Sequence, residues 1–334
     1  MKAVIPLAGM GSRLKPHTRT QPKSLIPLAG KPILGHIMDR LVEAGVTEFV
    51  FVIGYLGDRI EQYIAEQYGQ YKSTFVIQTL GKGIGHAVWL TRDAFSADEG
   101  LLIVLGDTIF EADIAGVFAK GGNALGVRKV EDPRQFGVAE LKENGQILRL
   151  SEKPLIPKSN LALVGLYYIE NSVDLFECLD YNIQNEVRTQ NEFHLTDALQ
   201  CMIDKGLGFT TFTVDTWFDC GQKDIILQTN RNLLKRVDQQ VFVKFEKGNI
   251  IVPPVYISPT AVVVNSIIGP DVSIGDGAVI TRSMLKNSII GQGAELNNAI
   301  LEDSLIGADA HLVGAASSLN IGDSAEINLR NSLL

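Results

Sequence analysis

The sequence predicts two structural units of different class within one chain of 334 residues. Up to about residue 235, short apolar runs alternate with amphipathic helical patterns, which is typical of an α/β domain with a mixed, mainly parallel sheet. After about residue 250, aliphatic residues recur every six positions, a period that fits neither a helix nor an alternating strand. Between the two patterns, Pro253-Pro254 interrupts regular structure. We therefore expect one domain over residues 1–238 and a second over residues 250–334.

Residue patterning assigns the strands and helices of the α/β domain. The run Leu102–Leu105 is continuously apolar, as in a strand covered on both faces. One helical pattern starts with Pro32 and repeats apolar residues at Ile33, Ile37 and Leu41. Strands are expected at Lys2–Leu7, Glu48–Ile53, Thr74–Gln78, Leu101–Leu105, Ala124–Val127, Gly137–Leu141, Ala162–Ile169 and Phe209–Val214. Helices are expected at Pro32–Ala44, Gly57–Tyr68, Gly83–Phe95, Asn171–Leu179, Leu195–Asp204 and Asp224–Arg236.

The C-terminal pattern predicts a parallel β-solenoid. The words NSIIG (265–269 and 287–291), DSLIG (303–307) and LNIG (319–322) recur, and within them aliphatic residues such as Ile268, Ile274 and Ile280 lie six apart. Three short edges, each with one inward aliphatic side chain, make a triangular coil of this period. The words start 22, 16 and 16 residues apart, so we expect loops or incomplete coils. A Val/Ile-rich sandwich is the alternative.

Composition narrows the function classes. The net charge of −8 disfavours a nucleic-acid partner, and no apolar segment is long enough to span a membrane. Cys178, Cys201 and Cys220 are scattered and odd in number, which argues against a disulfide framework or a zinc site. The N-terminus lacks a signal-peptide pattern. We expect a cytoplasmic protein whose local basic cluster binds a small anion.

A glycine-rich segment follows the first expected strand at once. Gly9 and Gly11 allow backbone N–H groups to approach phosphate oxygens, at the edge where open α/β sheets bind ligands. Arg13 and Lys23 supply positive charge that would stabilise a leaving pyrophosphate. The segment lacks the GK[ST] ending of a P-loop, and a solvated basic loop is the alternative. Lys15, His17 and Arg19 are expected to be such solvated charges.

The segment LAGMGSRLKPHTRTQPKSLIPLAGKPIL, residues 7–34, resembles the signature of the sugar-1-phosphate nucleotidylyltransferases, or NDP-sugar pyrophosphorylases. That signature reads GGxGxRLxPxT and then PKxLxPVxxKP, and the sequence departs from it mildly at Ala8 and Ser12. The resemblance implies a Rossmann-like nucleotidyltransferase domain followed by a left-handed parallel β-helix of hexapeptide-type repeats. It also implies catalytic roles for Arg13, Lys23 and Asp107.

The resemblance extends to the nucleotide and to a metal ion. It implies nucleotide contacts from Leu7, Ala8, Gly9, Gly11, Ser12, Gln78 and Gly83. Gly85 departs from the usual Ala or Thr, and His86, at the start of a helix, has a packing or capping role as the alternative to a catalytic one. Asp107 ends a long apolar strand, and the resemblance pairs it with Asp219 as ligands of Mg²⁺. A cap or turn role is the alternative for each aspartate.

Further matches imply a sugar-phosphate site. The motif Glu152-Lys153-Pro154 would hold sugar hydroxyls and the sugar phosphate, while an exposed ion pair before a turn is the alternative. The resemblance implies sugar-phosphate contacts from Gly137, Glu152, Lys153, Val164 and Gly165. Glu192 and Thr196-Asp197 are expected to be structural or adjacent to the sugar.

Together these residues predict Mg²⁺-dependent, in-line nucleotidyl transfer from a nucleoside triphosphate (NTP) to a sugar 1-phosphate. The favoured pair is dTTP with glucose 1-phosphate. The alternatives are a mannose-1-phosphate guanylyltransferase and a glucose-1-phosphate uridylyltransferase. Less favoured are a second, acyl-transfer activity in the β-helix, where His311 would be the base, and a non-catalytic regulatory relative. The β-helix is expected to serve assembly of a homo-oligomer or regulation.

Overall fold

A computed structural model describes residues 1–96, 99–237 and 248–314. The chain divides into two compact units, Met1–Val237 and Asp238–Leu334. The pair Pro253-Pro254 lies between two strands of the second unit. The repeat LNIG at residues 319–322 falls outside the described residues. Within the described ranges, no helix has both the length and the apolar character needed to cross a membrane.

The described part of the first unit alternates helices and strands. Its helices are α1 (Ile33–Glu43), α2 (Gly57–Tyr68), α3 (Ile84–Trp89), α4 (Ile114–Lys120), α5 (Ser172–Gln184), α6 (Leu195–Asp204) and α7 (Lys223–Leu234). Its strands are β1 (Lys2–Pro6), β2 (Pro27–Leu28), β3 (Lys31–Pro32), β4 (Glu48–Ile53), β5 (Lys72–Ile77), β6 (Leu101–Val104), β7 (Thr108–Glu111), β8 (Asn123–Lys129), β9 (Gly137–Leu141), β10 (Ile147–Glu152), β11 (Leu161–Ile169), β12 (Phe209–Thr213) and β13 (Thr216–Asp219). Short 3₁₀ turns lie at Ser12–Leu14, His17–Arg19, Lys23–Leu25 and Arg92–Ala94.

A nine-stranded mixed sheet organises this unit. Strands β5, β4, β1 and β6 lie side by side in that order and are all parallel. Strand β11 pairs antiparallel with β6 and then with both β9 and β8, and β10 and β12 complete the sheet. All four residues of β6 are buried, as its continuous apolar run predicts. The predicted mixed, mainly parallel Rossmann-like sheet is therefore confirmed, and the carboxyl ends of β1 and β6 adjoin at one edge.

Some short elements escaped the patterning. The pair β7–β13 forms a separate two-stranded antiparallel sheet, and β2–β3 forms a small hairpin. Strand β10 and helix α4 were not expected either. The helix expected at Gly83–Phe95 is shorter, because α3 ends at Trp89 and a 3₁₀ turn follows at Arg92–Ala94. Segments of four to seven residues carry too little periodicity to be recognised from sequence.

The second unit is a coil of short strands stacked in three parallel sheets, consistent with a left-handed parallel β-helix. Its described strands are β14 (Ile250–Ile251), β15 (Val255–Ile257), β16 (Val262–Val264), β17 (Ile267–Ile268), β18 (Val272–Ile274), β19 (Val279–Thr281), β20 (Met284–Lys286), β21 (Ile289–Ile290), β22 (Glu295–Asn297), β23 (Ile300–Glu302), β24 (Leu305–Ile306) and β25 (His311–Val313). Each sheet takes every third strand. Inward aliphatic residues, among them Ile268, Ile274 and Ile280, form the core of this unit.

The irregular repeat spacing has a simpler cause than the loops or incomplete coils that the sequence suggested. Ile267 pairs with Met284, 17 positions on, and Ile289 pairs with Leu305, 16 positions on. A coil therefore takes 16 or 17 residues. The first NSIIG word lies on the β17 face, whereas the second lies on the β21 face of the next coil. Its offset of 22 residues equals one coil plus one edge, so the words recur without sharing a face.

Candidate active site

Two adjoining cavities open at the carboxyl edge of the sheet in the first unit. The loop cavity, of about 320 Å³, lies against the glycine-rich segment after β1; its lining includes Leu7, Ala8, Gly9, Lys23, Gln78 and Gly83. The sheet cavity, of about 770 Å³, is larger; its lining includes Arg13, Gly137, Glu152, Lys153, Gly165 and Asp219. Three residues, Ile84, Leu105 and Asp107, line both cavities. Asp107 therefore stands where a ligand in one cavity would meet a ligand in the other.

The structure distributes the sequence-predicted residues between these cavities. Of the expected nucleotide contacts, Leu7, Ala8, Gly9, Gln78 and Gly83 line the loop cavity. All expected sugar-phosphate contacts, namely Gly137, Glu152, Lys153, Val164 and Gly165, line the sheet cavity. Gly11 and Ser12 are absent from the described linings of both cavities, and Arg13 lines the sheet cavity rather than the loop cavity.

The two aspartates meet because β13 pairs with β7. Asp107 directly precedes β7, and Asp219, the last residue of β13, lies opposite Thr108. The Cys220 N–H donates a hydrogen bond to the Asp107 carbonyl oxygen at 3.0 Å, which extends this pairing by one residue. Lys23 completes the cluster: its Nζ lies 2.5 Å from Asp107 Oδ2 and 3.8 Å from Asp219 Oδ1. The Lys23 side chain is 12% exposed, and the carboxylates are 35% and 34% exposed.

This cluster favours a bound cation. Burial raises the pKa of Asp219, the Asp107 charge raises it further, and Lys23 and Arg13 oppose the increase. Among the residues that the structure describes, no three His, Cys, Asp or Glu side chains converge to form a closed metal site. Mg²⁺ commonly uses one or two protein carboxylates together with substrate phosphates. The pair Asp107 and Asp219 fits that pattern.

The glycine-rich segment is shaped by Gly11 and opened by Gly9. Gly11 has φ of 60°, and a Cβ there would lie 2.9 Å from Thr18 Cγ2 and 3.1 Å from Lys23 Cβ. The Thr18 hydroxyl donates a hydrogen bond to the Gly11 carbonyl oxygen at 2.8 Å. A Cβ at Gly9, by contrast, would meet no atom within 4 Å. Gly11 thus packs the loop beside Lys23, while the Gly9 backbone borders the loop cavity.

Gln78 is the buried amide of the loop cavity, with a residue exposure of 8%. Its Nε2 lies 3.2 Å from the Gly83 carbonyl oxygen and 3.0 Å from His86 Nδ1. The Gly83 segment is itself anchored, because the Gly85 N–H donates to the Phe193 carbonyl oxygen at 2.8 Å. His86 therefore packs beside the amide and lies outside the described linings of both cavities.

Glu152 is the best-anchored carboxylate of the sheet cavity. The Thr196 hydroxyl donates a 2.7 Å hydrogen bond to Glu152 Oε2, while His194 Nδ1 lies 3.5 Å from Oε1. Lys153 Nζ lies 3.9 Å from the same Oε1. Nearby, burial raises the pKa of Asp197, and the hydrogen bond from Thr189 opposes that increase. The start of α6 thus fixes the carboxylate that the sequence assigned to the sugar.

Gly165 lets the sheet cavity reach the backbone of β11. It has φ of 84°, and a Cβ there would lie 2.8 Å from Leu105 Cγ. The Leu105 N–H donates to the Gly165 carbonyl oxygen at 2.9 Å, and the pairing of β11 with β8 shifts register between Leu163 and Tyr167. This irregularity leaves main chain exposed to a ligand.

Sequence reasoning missed several lining residues. Trp217 packs edge-on against Phe136, with ring centroids 4.8 Å apart, and its buried Nε1 has no partner among the described residues. Other unassigned residues of the sheet cavity include Arg128, Gln135, Tyr167, His194, Gln222 and Gln228. Glu192 and the buried Ser24 line the loop cavity. The conspicuous word around Asp219 could have drawn attention to Trp217, but the remaining residues carry no local signal.

Comparisons with known proteins agree with this geometry. A family model described as nucleotidyl transferase matches residues 2–236. The chain is 34% identical over 70% of its length to the low-salt glycan biosynthesis nucleotidyltransferase Agl11 of Haloferax volcanii, and the match covers 66% of that protein. It is 36% identical over 75% of its length to the bifunctional protein GlmU of Methanococcus vannielii, of which 61% is covered. The matches thus span somewhat less than two thirds of these relatives.

Two further similarities cover more of the partner. A glucose-1-phosphate thymidylyltransferase of Streptomyces griseus is 32% identical over 85% of this chain and 80% of its own length. Among solved structures, a putative glucose-1-phosphate thymidylyltransferase from Bacillus anthracis, in complex with a sucrose, superposes with a TM-score of 0.60 at 27% identity. That superposition covers 74% of this chain and 98% of the other.

Proposed function

The chain belongs to the nucleotidyl transferase family, and we propose that it transfers a nucleotidyl group from an NTP to a sugar 1-phosphate, releasing pyrophosphate. The observation that carries this proposal is the pair of adjoining cavities that share Asp107. One cavity is bordered by glycine backbone and Lys23, as suits a triphosphate. The other is lined by Glu152 and Lys153, as suits a sugar phosphate.

The NTP would bind with its base beside Gln78 and its phosphates beside Gly9 and Lys23. Asp107 and Asp219 would hold Mg²⁺, which would neutralise phosphate charge and assist departure of pyrophosphate. Lys23 bonds Asp107 now, so its ammonium group is already directed at the position where triphosphate charge would lie. Arg13 lines the sheet cavity and influences Asp219, which places it on the far side of the carboxylates.

The sugar 1-phosphate would bind in the sheet cavity. Glu152, held by Thr196, would accept hydrogen bonds from sugar hydroxyls, and Lys153 would position the phosphate. A phosphate oxygen would form a bond to the NTP α-phosphorus while the bond to the bridging oxygen of pyrophosphate breaks. The attacking phosphate is already anionic, so the reaction needs no base to deprotonate it.

The substrate pair that we propose is dTTP with glucose 1-phosphate, which accords with the names of two of the similar proteins. Mannose 1-phosphate with GTP and glucose 1-phosphate with UTP are the alternatives. A matrix of both sugars against each NTP, with Mg²⁺ or with EDTA, would measure pyrophosphate and nucleotide-sugar together. Turnover with one pair and its loss in EDTA are expected. Tight nucleotide-sugar binding without any turnover would instead support the regulatory alternative.

The second unit is proposed to serve assembly of a homo-oligomer or regulation. Light scattering of the purified full chain tests assembly, with a mass near a multiple of the 36.4 kDa chain as the expected result. Acyl transfer would require a base, and His311 lies in an exposed pair, its Nδ1 3.2 Å from Glu295 Oε2. Adding acetyl-CoA and a sugar amine to the same assay tests that alternative. A cytoplasmic location is tested by cell fractionation.

A further inference from the structure

The orientation of the Gln78 amide is fixed by its neighbours. One face of the amide lies 3.2 Å from the Gly83 carbonyl oxygen, which can only accept a hydrogen bond. The amide nitrogen must therefore point there, because the reversed amide would set two oxygens against each other. The same nitrogen lies 3.0 Å from His86 Nδ1, so its second hydrogen points at the imidazole. Both hydrogens of Nε2 are thereby used within the protein.

His86 is arranged to accept that hydrogen bond. Its ring lies against Trp89 and Phe193, with centroids 5.7 Å and 6.5 Å away, so it cannot turn freely. Burial, together with the charge of Lys82, lowers the pKa of His86, which keeps the imidazole neutral near pH 7. The neutral ring carries its proton on Nε2 and offers the lone pair of Nδ1 to Gln78. The structure thus assigns one tautomer.

This arrangement leaves a single amide atom for a ligand. Across the described ranges of the chain, Gln78 Oε1 accepts no hydrogen bond, and Gln78 lines the loop cavity. An acceptor at this position complements a base that carries a ring N–H on its pairing edge. Thymine and uracil carry such an N–H at N3, whereas cytosine has an acceptor there and adenine has a ring acceptor at N1.

We infer that His86 is a positioning residue that locks the Gln78 amide, so that Oε1 accepts a hydrogen bond from the N3–H of thymine or uracil. This inference rests on the proposed function. Without His86, the amide would lose the partner for one of its hydrogens and would be freer to rotate. Its ability to discriminate between bases would fall, although neither sugar binding nor the carboxylate cluster would change.

The test compares His86→Leu with His86→Asn, since the Asn side-chain oxygen can replace the Nδ1 acceptor. In His86→Leu, the KM for dTTP or UTP is expected to rise about tenfold, while kcat and the KM for the sugar phosphate stay within about twofold. His86→Asn should recover most of the loss. Wild type should discriminate against N3-methyl-UTP, relative to UTP, by about 30-fold, and His86→Leu should discriminate by only a few-fold.

A double-mutant cycle with Gln78→Ala separates positioning from packing. If His86 acts through the amide, His86→Leu adds no more than about a twofold effect in the Gln78→Ala background. Equal effects of His86→Leu in both backgrounds, or a wild-type preference for ATP, CTP or GTP, would overturn the inference. Calorimetric titration of each variant with UTP and N3-methyl-UTP gives a readout without turnover, so failure of this inference and failure of the proposed reaction are distinguishable. Thermal melts of the variants confirm folding.

Discussion

The two cavities of the first unit use different parts of the chain to face their ligands. The loop cavity is bordered largely by glycines and small apolar residues, with Lys23 and Gln78 as its main polar side chains. The sheet cavity is lined mainly by larger polar and charged side chains, such as Arg128, Glu152 and Lys153. Backbone groups bind features that all NTPs share, whereas side chains distinguish hydroxyl positions. The chemistry common to the family is thus built into main chain, and selectivity into replaceable side chains.

The largest effect is expected at the residue that belongs to both cavities. Asp107→Asn keeps the shape of the side chain but removes its charge, so kcat should fall by about 10³-fold. The melting temperature should change little, because the side chain is about one-third exposed. Steady-state kinetics and a thermal melt measure the two quantities. Glu61→Gln, on the exposed surface of α2, is the matched control and should behave like wild type. Full activity in Asp107→Asn would show that the cavities do not meet at a reaction centre.

A backbone change should affect the sheet cavity through stability. Gly165→Ala places a Cβ 2.8 Å from Leu105 Cγ at a φ of 84°, so the variant should lose about 2 kcal/mol of unfolding free energy. Urea denaturation measures this change. Gly145→Ala is a useful control, because Gly145 also has positive φ, of 80°, but its Cβ would meet no atom within 4 Å. Comparable losses in both variants would attribute the effect to φ alone rather than to the contact with Leu105.

A side-chain change should affect one substrate alone. Thr196→Val removes the 2.7 Å hydrogen bond to Glu152 and preserves the volume of the side chain. The KM for the sugar 1-phosphate should rise about tenfold, whereas the KM for the NTP should stay within about twofold. Initial rates over a grid of both substrates measure both constants. Equal increases in the two constants would contradict the separation of the cavities.

The smallest effects are expected among the surplus cations of the glycine-rich segment. Lys15 and Arg19 are exposed and are absent from the described linings of both cavities. Lys15→Ala and Arg19→Ala should therefore change kcat/KM by less than about twofold, because exposed charges are screened by solvent and salt. Lys23→Ala, measured alongside, should lose far more. A large effect at Lys15 would extend the loop cavity beyond the boundary seen here.

Sequence patterning was sufficient for features with a long period or a long motif. The buried run of β6 and the six-residue period of the second unit both predicted the correct architecture. The approach of Asp219 to Asp107 came only from the resemblance, because β7 and β13 are four-residue strands whose pairing is a tertiary event. The contact between Gln78 and His86 was not foreseen either. It depends on where the loop before α3 is anchored by Phe193, which no local pattern encodes.

The short pairing of β13 with β7 has a consequence for how this chain could tolerate change. The stretch between Asp107 and Asp219 contains more than a hundred residues, yet only the register of two four-residue strands sets the meeting of the carboxylates. Insertions in the exposed turn between β9 and β10 could therefore reshape the sheet cavity without moving either aspartate. Loss of a single residue within β13 would instead turn Asp219 to the opposite face of the ribbon. The molecule separates the part of its sequence that is free to vary in length from a ruler only four residues long.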